Sequence, residues 1–200
     1  MGSRRSKKKR WDDHYTKRAK KEKFSARSVY KLKEIQEKYR LIKNGHRVLD
    51  LGCSPGSWLQ YSATLVGAKG QVVGIDIKPV DLNLPSHVRV IQGDLLEVDE
   101  ALEQALGGTY HVVLSDMAPA TTGNKTVDAA RSLGLCEAAL FVAQKFLRPG
   151  GSFVCKIFQG GDFKSFSEAV RKCFKAHKIY KPQSSRKASK EIYVIGMGKY

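Results

Sequence analysis

Three aspartates and one lysine are the residues of this chain best placed to do chemistry. Asp76, Asp94 and Asp116 each follow a short apolar run, at 71–75, Val88–Gln92 and 112–114. Lys156 lies inside another, the Phe-Val-Cys-Lys-Ile-Phe stretch of residues 153–158. A single acid after a strand is usually a turn residue. Three become a site if the strands run parallel, because their carboxyl ends then share one rim. Asp76 lies 26 residues after Asp50, where an acid ending the second strand accepts hydrogen bonds from ribose hydroxyls. Asp94 is then placed for an adenine amino group. An unpaired ammonium within an apolar strand costs several kcal/mol or loses its proton. Lys156 therefore reads as a lysine with a partner, able to act as a base. Asp116, closing the neighbouring strand, is the candidate partner.

The element that must position these groups is the stretch 48–58, Val-Leu-Asp-Leu-Gly-Cys-Ser-Pro-Gly-Ser-Trp. It reads as a buried strand, a turn through Gly52, Pro55 and Gly56, and the start of a helix ending at Gly67. Glycines let the backbone turn sharply and approach a ligand closely. The turn lacks the G-x-G-x-x-G spacing that cradles a pyrophosphate, which argues against a nicotinamide dinucleotide. S-adenosylmethionine also has a ribose to hold and carries no phosphate.

Around this turn, strand and helix patterns alternate. Ser25 is the expected cap of a helix with Val29, Leu32, Ile35 and Tyr39 on one face. Lys31 sits beside that stripe. Further helices are expected over 97–106, 128–147 and 162–175, and strands over 152–158, 177–181 and 191–197. Continuous apolar runs suit strands covered on both faces. A doubly wound α/β fold follows: a seven-stranded, mostly parallel sheet with helices on both faces and an antiparallel last strand. The last two strands, with no helix between them, are expected to pair at one side of the sheet.

The charge is unevenly spread. The 200 residues carry a net +17, of which residues 1–33 hold +11 and residues 171–190 hold +8. The rest of the chain is close to neutral. A near-neutral body with two basic segments implies a polyanion, most commonly nucleic acid. Trp11, Tyr15 and Phe24 interleave with the N-terminal basic residues, as suits stacking on unpaired RNA bases. Residues 1–24 are expected to be a flexible, basic RNA-binding extension, and residues 25–200 a catalytic domain. Cys53, Cys136, Cys155 and Cys173 form no C-x-x-C pair, and no histidine cluster has metal spacing. No metal is expected. No run reaches the ~20 apolar residues of a membrane span, so the expected setting is the cytoplasm, without a membrane partner.

Taken together, Asp50–Trp58, Asp76, Gly93-Asp94, the Ser-Asp-Met-Ala-Pro of 115–119 and Lys156 resemble the FtsJ-type ribose 2′-O-methyltransferases. The likeness runs from about Ser25 to the end and is greatest to bacterial members acting on 23S ribosomal RNA. It implies a Lys-Asp-Lys-Glu tetrad on Lys31, Asp116, Lys156 and Glu191, with Lys156 as general base. It also implies S-adenosylmethionine held by Asp50, Gly52, Pro55, Gly56, Trp58, Asp76, Asp94 and Asp116. The implied reaction is methylation of a 2′-hydroxyl, on a uridine of 23S ribosomal RNA in the large subunit, by a monomer. Transfer RNA, an mRNA cap, or a non-catalytic RNA-binding role in ribosome assembly are the alternatives. Cys53-Ser54 and Ser57 depart from the usual alanines and glycine of the turn, and Ser57 is expected to tune cofactor affinity.

Overall fold

Seven runs form strands; the central ones are covered on both faces, which leaves backbone pairing as the only outlet for their N–H and C=O groups. The computed structural model describes residues 6–97, 99–119, 122–123, 125–160, 162–186 and 188–200. The strands are β1 (Arg47–Leu51), β2 (Gln71–Asp76), β3 (Val88–Gln92), β4 (Tyr110–Ser115), β5 (Leu147–Phe158), β6 (Phe174–Tyr180) and β7 (Glu191–Lys199). They form one sheet in the order β3-β2-β1-β4-β5-β7-β6. Strands β1 to β5 pair in parallel, and β7 runs antiparallel to both β5 and β6.

The last two strands pair antiparallel at one side of the sheet, as expected; within that pair β7 lies inside and β6 forms the edge. Tyr193, Val194 and Ile195 are wholly buried, so β7 needs a neighbour on each side. The more polar β6, with Lys175 and Lys178, takes the edge, where charge discourages further strand pairing.

Among the described residues there are six helices, α1 (Ser6–Lys21), α2 (Val29–Tyr39), α3 (Ser57–Val66), α4 (Glu100–Leu106), α5 (Lys125–Phe146) and α6 (Phe163–Cys173), of which α1 packs on α2 and α3. Side chains alternate across a strand, and the sheet accordingly separates two cores. Leu49, Val113, Phe153 and Val194 pack with α4, α5 and α6. Val48, Val112, Val154 and Tyr193 pack with α2 and α3. By the same alternation Lys156, two residues after Val154, faces α2, the helix that carries Lys31.

At the N-terminal end one expectation, the cap of α2, is corrected. The basic stretch of the expected RNA-binding extension is helical from Ser6 to Lys21. Lys, Arg and Ala are good helix formers, and packing supplies what a lone basic helix lacks. Ala19 is buried, the Tyr15 and Tyr30 rings lie 5.2 Å apart, and Phe24 meets Tyr61 edge-on at 6.4 Å. Glu22 pairs with Lys33 at 2.6 Å. Tyr15 and Phe24 are thus packed against the domain. Residues 1–5 and the side chain of Trp11 lie outside the described residues. Helix α2 begins at Val29 with Ser28, not Ser25, at its cap position. The Ser25 amide donates instead to Gln60 Oε1 of α3 at 2.9 Å.

Candidate functional site

The carboxyl ends of β1, β2 and β4 form the rim expected from parallel pairing. Leu51 is in register with Ile75 and with Ser115. The turn after β1 is fastened to β2: the Gly52 and Cys53 amides both donate to Ile75 O, at 2.8 and 3.1 Å. Gly52 has φ +72°, and a Cβ there would collide with the Met117 side chain. No other residue satisfies both the dihedral and the space. Asp50, Gly52, Ser54, Pro55, Trp58 and Asp116 line a cleft at this rim.

Asp50 is the least comfortable group in it. Its side chain is buried, and Oδ2 has no hydrogen-bond partner among the described residues. Burial pushes its carboxyl well above the usual range, and the neighbouring Asp116 and Asp76 charges add to that. A buried acceptor without a donor is costly. A ligand bringing a cationic or hydrogen-bond-donating group would offset that cost. The empty-handed carboxyl takes up a proton on folding, so its contribution to stability worsens as pH rises above the unfolded value of about 4. Asp50→Asn is therefore expected to raise the melting temperature of the ligand-free protein by several degrees at pH 7, read by calorimetry, while weakening ligand binding. Unchanged or lower melting would show that the carboxylate is already compensated.

The other two rim acids are partly engaged. Asp76 Oδ2 accepts from the Ser54 amide at 2.9 Å and Oδ1 from the Lys78 amide at 2.8 Å. Asp94 Oδ1 accepts from the Leu96 amide at 2.9 Å. Both are turn-stabilising roles, and each carboxylate keeps lone pairs for further donors. Trp58 lines the cleft, but its indole is buried. Its Nε1 donates to Ser28 O at 2.9 Å, and its ring stacks on Tyr193 at 6.0 Å. Ser57 Oγ lies 2.8 Å from Ser28 Oγ, so this departure from the usual turn sequence ties α3 to the start of α2.

Beside the cleft, four charged groups from four elements converge. Lys156 Nζ on β5 lies 3.0 Å from Asp116 Oδ1 and donates to the Asp116 carbonyl. Lys31 Nζ on α2 lies 3.6 Å from Asp116 Oδ1 and 2.9 Å from Glu191 Oε1 at the start of β7. Lys156 is only 6% exposed. Burial alone would push Asp116 up, but the Lys156 and Lys31 charges, with hydrogen bonds from Tyr193 and Lys156, hold it below its usual value.

Two members of this cluster were not legible in the sequence. The Tyr193 hydroxyl donates to Asp116 Oδ1 at 2.6 Å. Ser185 Oγ donates to Glu191 Oε1 at 2.8 Å. A tyrosine two residues after Glu191 shares its face of β7, which is a weak local signal. The serine gives none. Glu34 of α2 holds the basic loop after β6 in place, accepting from the Gln183 and Ser184 amides at 2.6 and 2.8 Å. Among the described residues no group of three His, Cys, Asp or Glu could hold a metal ion. No helix among them is long and apolar enough to cross a membrane.

Known proteins resemble this chain in both fold and sequence. A ribosomal RNA methyltransferase structure from Plasmodium falciparum, 27% identical, superposes with a TM-score of 0.76 over 88% of this chain and 98% of its own. A protein of Desulforapulum autotrophicum named ribosomal RNA large subunit methyltransferase E is 57% identical, over 99% of this chain and 98% of its own. The protein of the same name from Acinetobacter baylyi is 50% identical, over 94% and 88%. The model of the FtsJ-like methyltransferases matches residues 24–199, and the chain belongs to that family of enzymes.

Proposed function

We propose that this enzyme transfers a methyl group from S-adenosylmethionine to a ribose 2′-hydroxyl of large-subunit ribosomal RNA, a uridine of 23S RNA, in the cytoplasm. The observation that carries the reading is the Lys31–Asp116–Lys156–Glu191 cluster, mostly shielded from solvent, beside the glycine turn. The relatives' names support the RNA class.

The cleft residues fit the methyl donor. Asp50, with its partnerless buried oxygen, suits a molecule carrying sulfonium and ammonium charges. Gly52, Pro55, Gly56, Trp58 and Asp116 would form the wall around it, Asp76 would accept from its ribose hydroxyls, and Asp94 from its adenine amino group. When bound, S-adenosylmethionine supplies an already activated methyl electrophile.

The protein is then left with two tasks, positioning and proton removal. Lys156, after its ammonium has released its proton to solvent, accepts the 2′-hydroxyl proton at Nζ. Asp116, 3.0 Å away, orients that nitrogen and stabilises the ammonium it becomes. Tyr193 fixes the rotamer of Asp116 through a 2.6 Å hydrogen bond. Lys31, braced by Glu191 at 2.9 Å, is positioned to hold the substrate's phosphate or ribose. The basic segments 1–33 and 171–190 bind the surrounding phosphates.

The test offers labelled S-adenosylmethionine with large ribosomal subunits lacking the modification, free 23S RNA, transfer RNA and capped mRNA in parallel. Label on the subunit or its RNA is the expected result. Label confined to transfer RNA or cap would overturn the substrate, and label nowhere would overturn the reaction.

A further inference from the structure

At the opposite end of the sheet lies a second concave site that the reaction does not use. It is an open cleft of about 320 Å³ between the end of α2, the start of β1 and the β4–β5 edge. Arg40, Lys43, His46, His111 and Arg148 line it. None of the ion pairs among the described residues involves Arg40, Lys43 or Arg148. Three cations thus converge on one concavity with no carboxylate to neutralise them.

Two features make this a formed site and not a solvated face. Arg40 caps α2 in the left-handed region, at φ 50° and ψ 46°, a conformation that favours glycine or asparagine. The two imidazoles stack with centroids 4.3 Å apart. His46 Nδ1 accepts from the Lys43 amide at 3.2 Å and His111 Nδ1 from the Arg47 amide at 3.0 Å. Each neutral ring therefore carries its proton on Nε2 as a donor. Burial first, then the neighbouring His111, Lys43 and Arg148, push His46 down to about 4.

We infer that this cleft docks RNA phosphodiesters, at a second contact remote from the methylated nucleotide. The inference rests on the RNA reading above and extends it. His111 and Asp116 lie five residues apart along and just past β4, or about 17 Å at strand rise. The two ends of the sheet thus meet separate stretches of a large folded RNA. Charge complementarity favours phosphate over any other polar partner.

The experiment measures binding of wild type and R40Q/K43Q/R148Q to large ribosomal subunits between 50 and 200 mM salt, with turnover on the same subunits. Losing three phosphate contacts should lower the slope of log K against log salt by about 2 to 3. KM should rise roughly tenfold, with kcat and S-adenosylmethionine affinity unchanged. R148Q alone, in exposed β5 backbone and safe for folding, should lower the slope by about 0.7 to 0.9. Equal slopes and KM in wild type and variants would overturn the inference and leave the RNA reading standing. So would a thermal shift with inorganic phosphate that the triple variant loses while its RNA binding stays intact, since the cleft would then serve a small anion. A wild type that binds no subunits would sink the RNA reading and this contact with it.

Discussion

Lys156→Ala is expected to lower turnover by about 10² to 10⁴, the usual range for removing a general base, while S-adenosylmethionine still binds. The side chain reaches the cluster from a strand whose other contacts stay in place: β5 keeps its register with β4 and β7. Asp116 keeps Lys31 at 3.6 Å and the Tyr193 hydroxyl at 2.6 Å, so its charge remains paired. Asp76 and Asp94, the acids proposed to hold the cofactor, are bonded to their own turns and not to Lys156. The loss should therefore fall on kcat and not on cofactor affinity. Single-turnover rates and calorimetric titration with S-adenosylmethionine read the two separately. Turnover within threefold of wild type would remove Lys156 from the proton-transfer step.

The second large effect is on both activity and folding. Asp116→Ala should abolish measurable turnover and destabilise the protein by about 3 kcal/mol, since it leaves charge buried without its counter-ion. Two ammonium groups, 14% and 6% exposed on Lys31 and Lys156, lose the carboxylate between them, and Tyr193 loses its acceptor. For a chain of this length that corresponds to a fall of roughly 6–12 °C in melting temperature. The pH dependence follows from the sign of the shift. The folded Asp116 is held below its usual value, so its stabilisation is complete above the unfolded value of about 4 and is lost as pH falls toward the folded one. The difference in stability between wild type and Asp116→Ala should accordingly shrink below pH 4. A difference independent of pH would mean that packing, not charge, is what the aspartate contributes.

Much of this arrangement is legible in the chain because the signals are local. The runs before Asp76, Asp94 and Asp116 give strands, parallel pairing gives a common rim, and the rim gives the site. Lys156 stands out because a charge among Phe, Val, Cys and Ile has no local reason to be there. What the sequence hides is long-range partnership. Tyr193 finds Asp116 across 77 residues and Glu34 finds the Gln183 amide across 149, and no periodicity encodes either. The placement of β7 inside the sheet follows from the burial of Tyr193–Ile195 on both faces, which local alternation does not distinguish from an edge strand with one face buried. The order of α1 depends on Tyr15 and Ala19 meeting Tyr30, a contact outside the reach of composition. Asp50 reads as one more acid near a glycine turn, whereas its partnerless burial, with the Asp116 and Asp76 charges nearby, emerges only in the fold.

The chemistry itself is tested most directly by the form of the product. Subunits labelled with methyl from S-adenosylmethionine would be stripped to RNA and hydrolysed in alkali. A methyl on the ribose 2′-oxygen blocks cleavage of the adjacent phosphodiester, so the label should emerge in an alkali-stable dinucleotide, and Lys156→Ala should form it at least about a hundredfold more slowly. Label recovered instead in mononucleotides would mean methylation of a base, and would contradict a mechanism built on deprotonating a ribose hydroxyl.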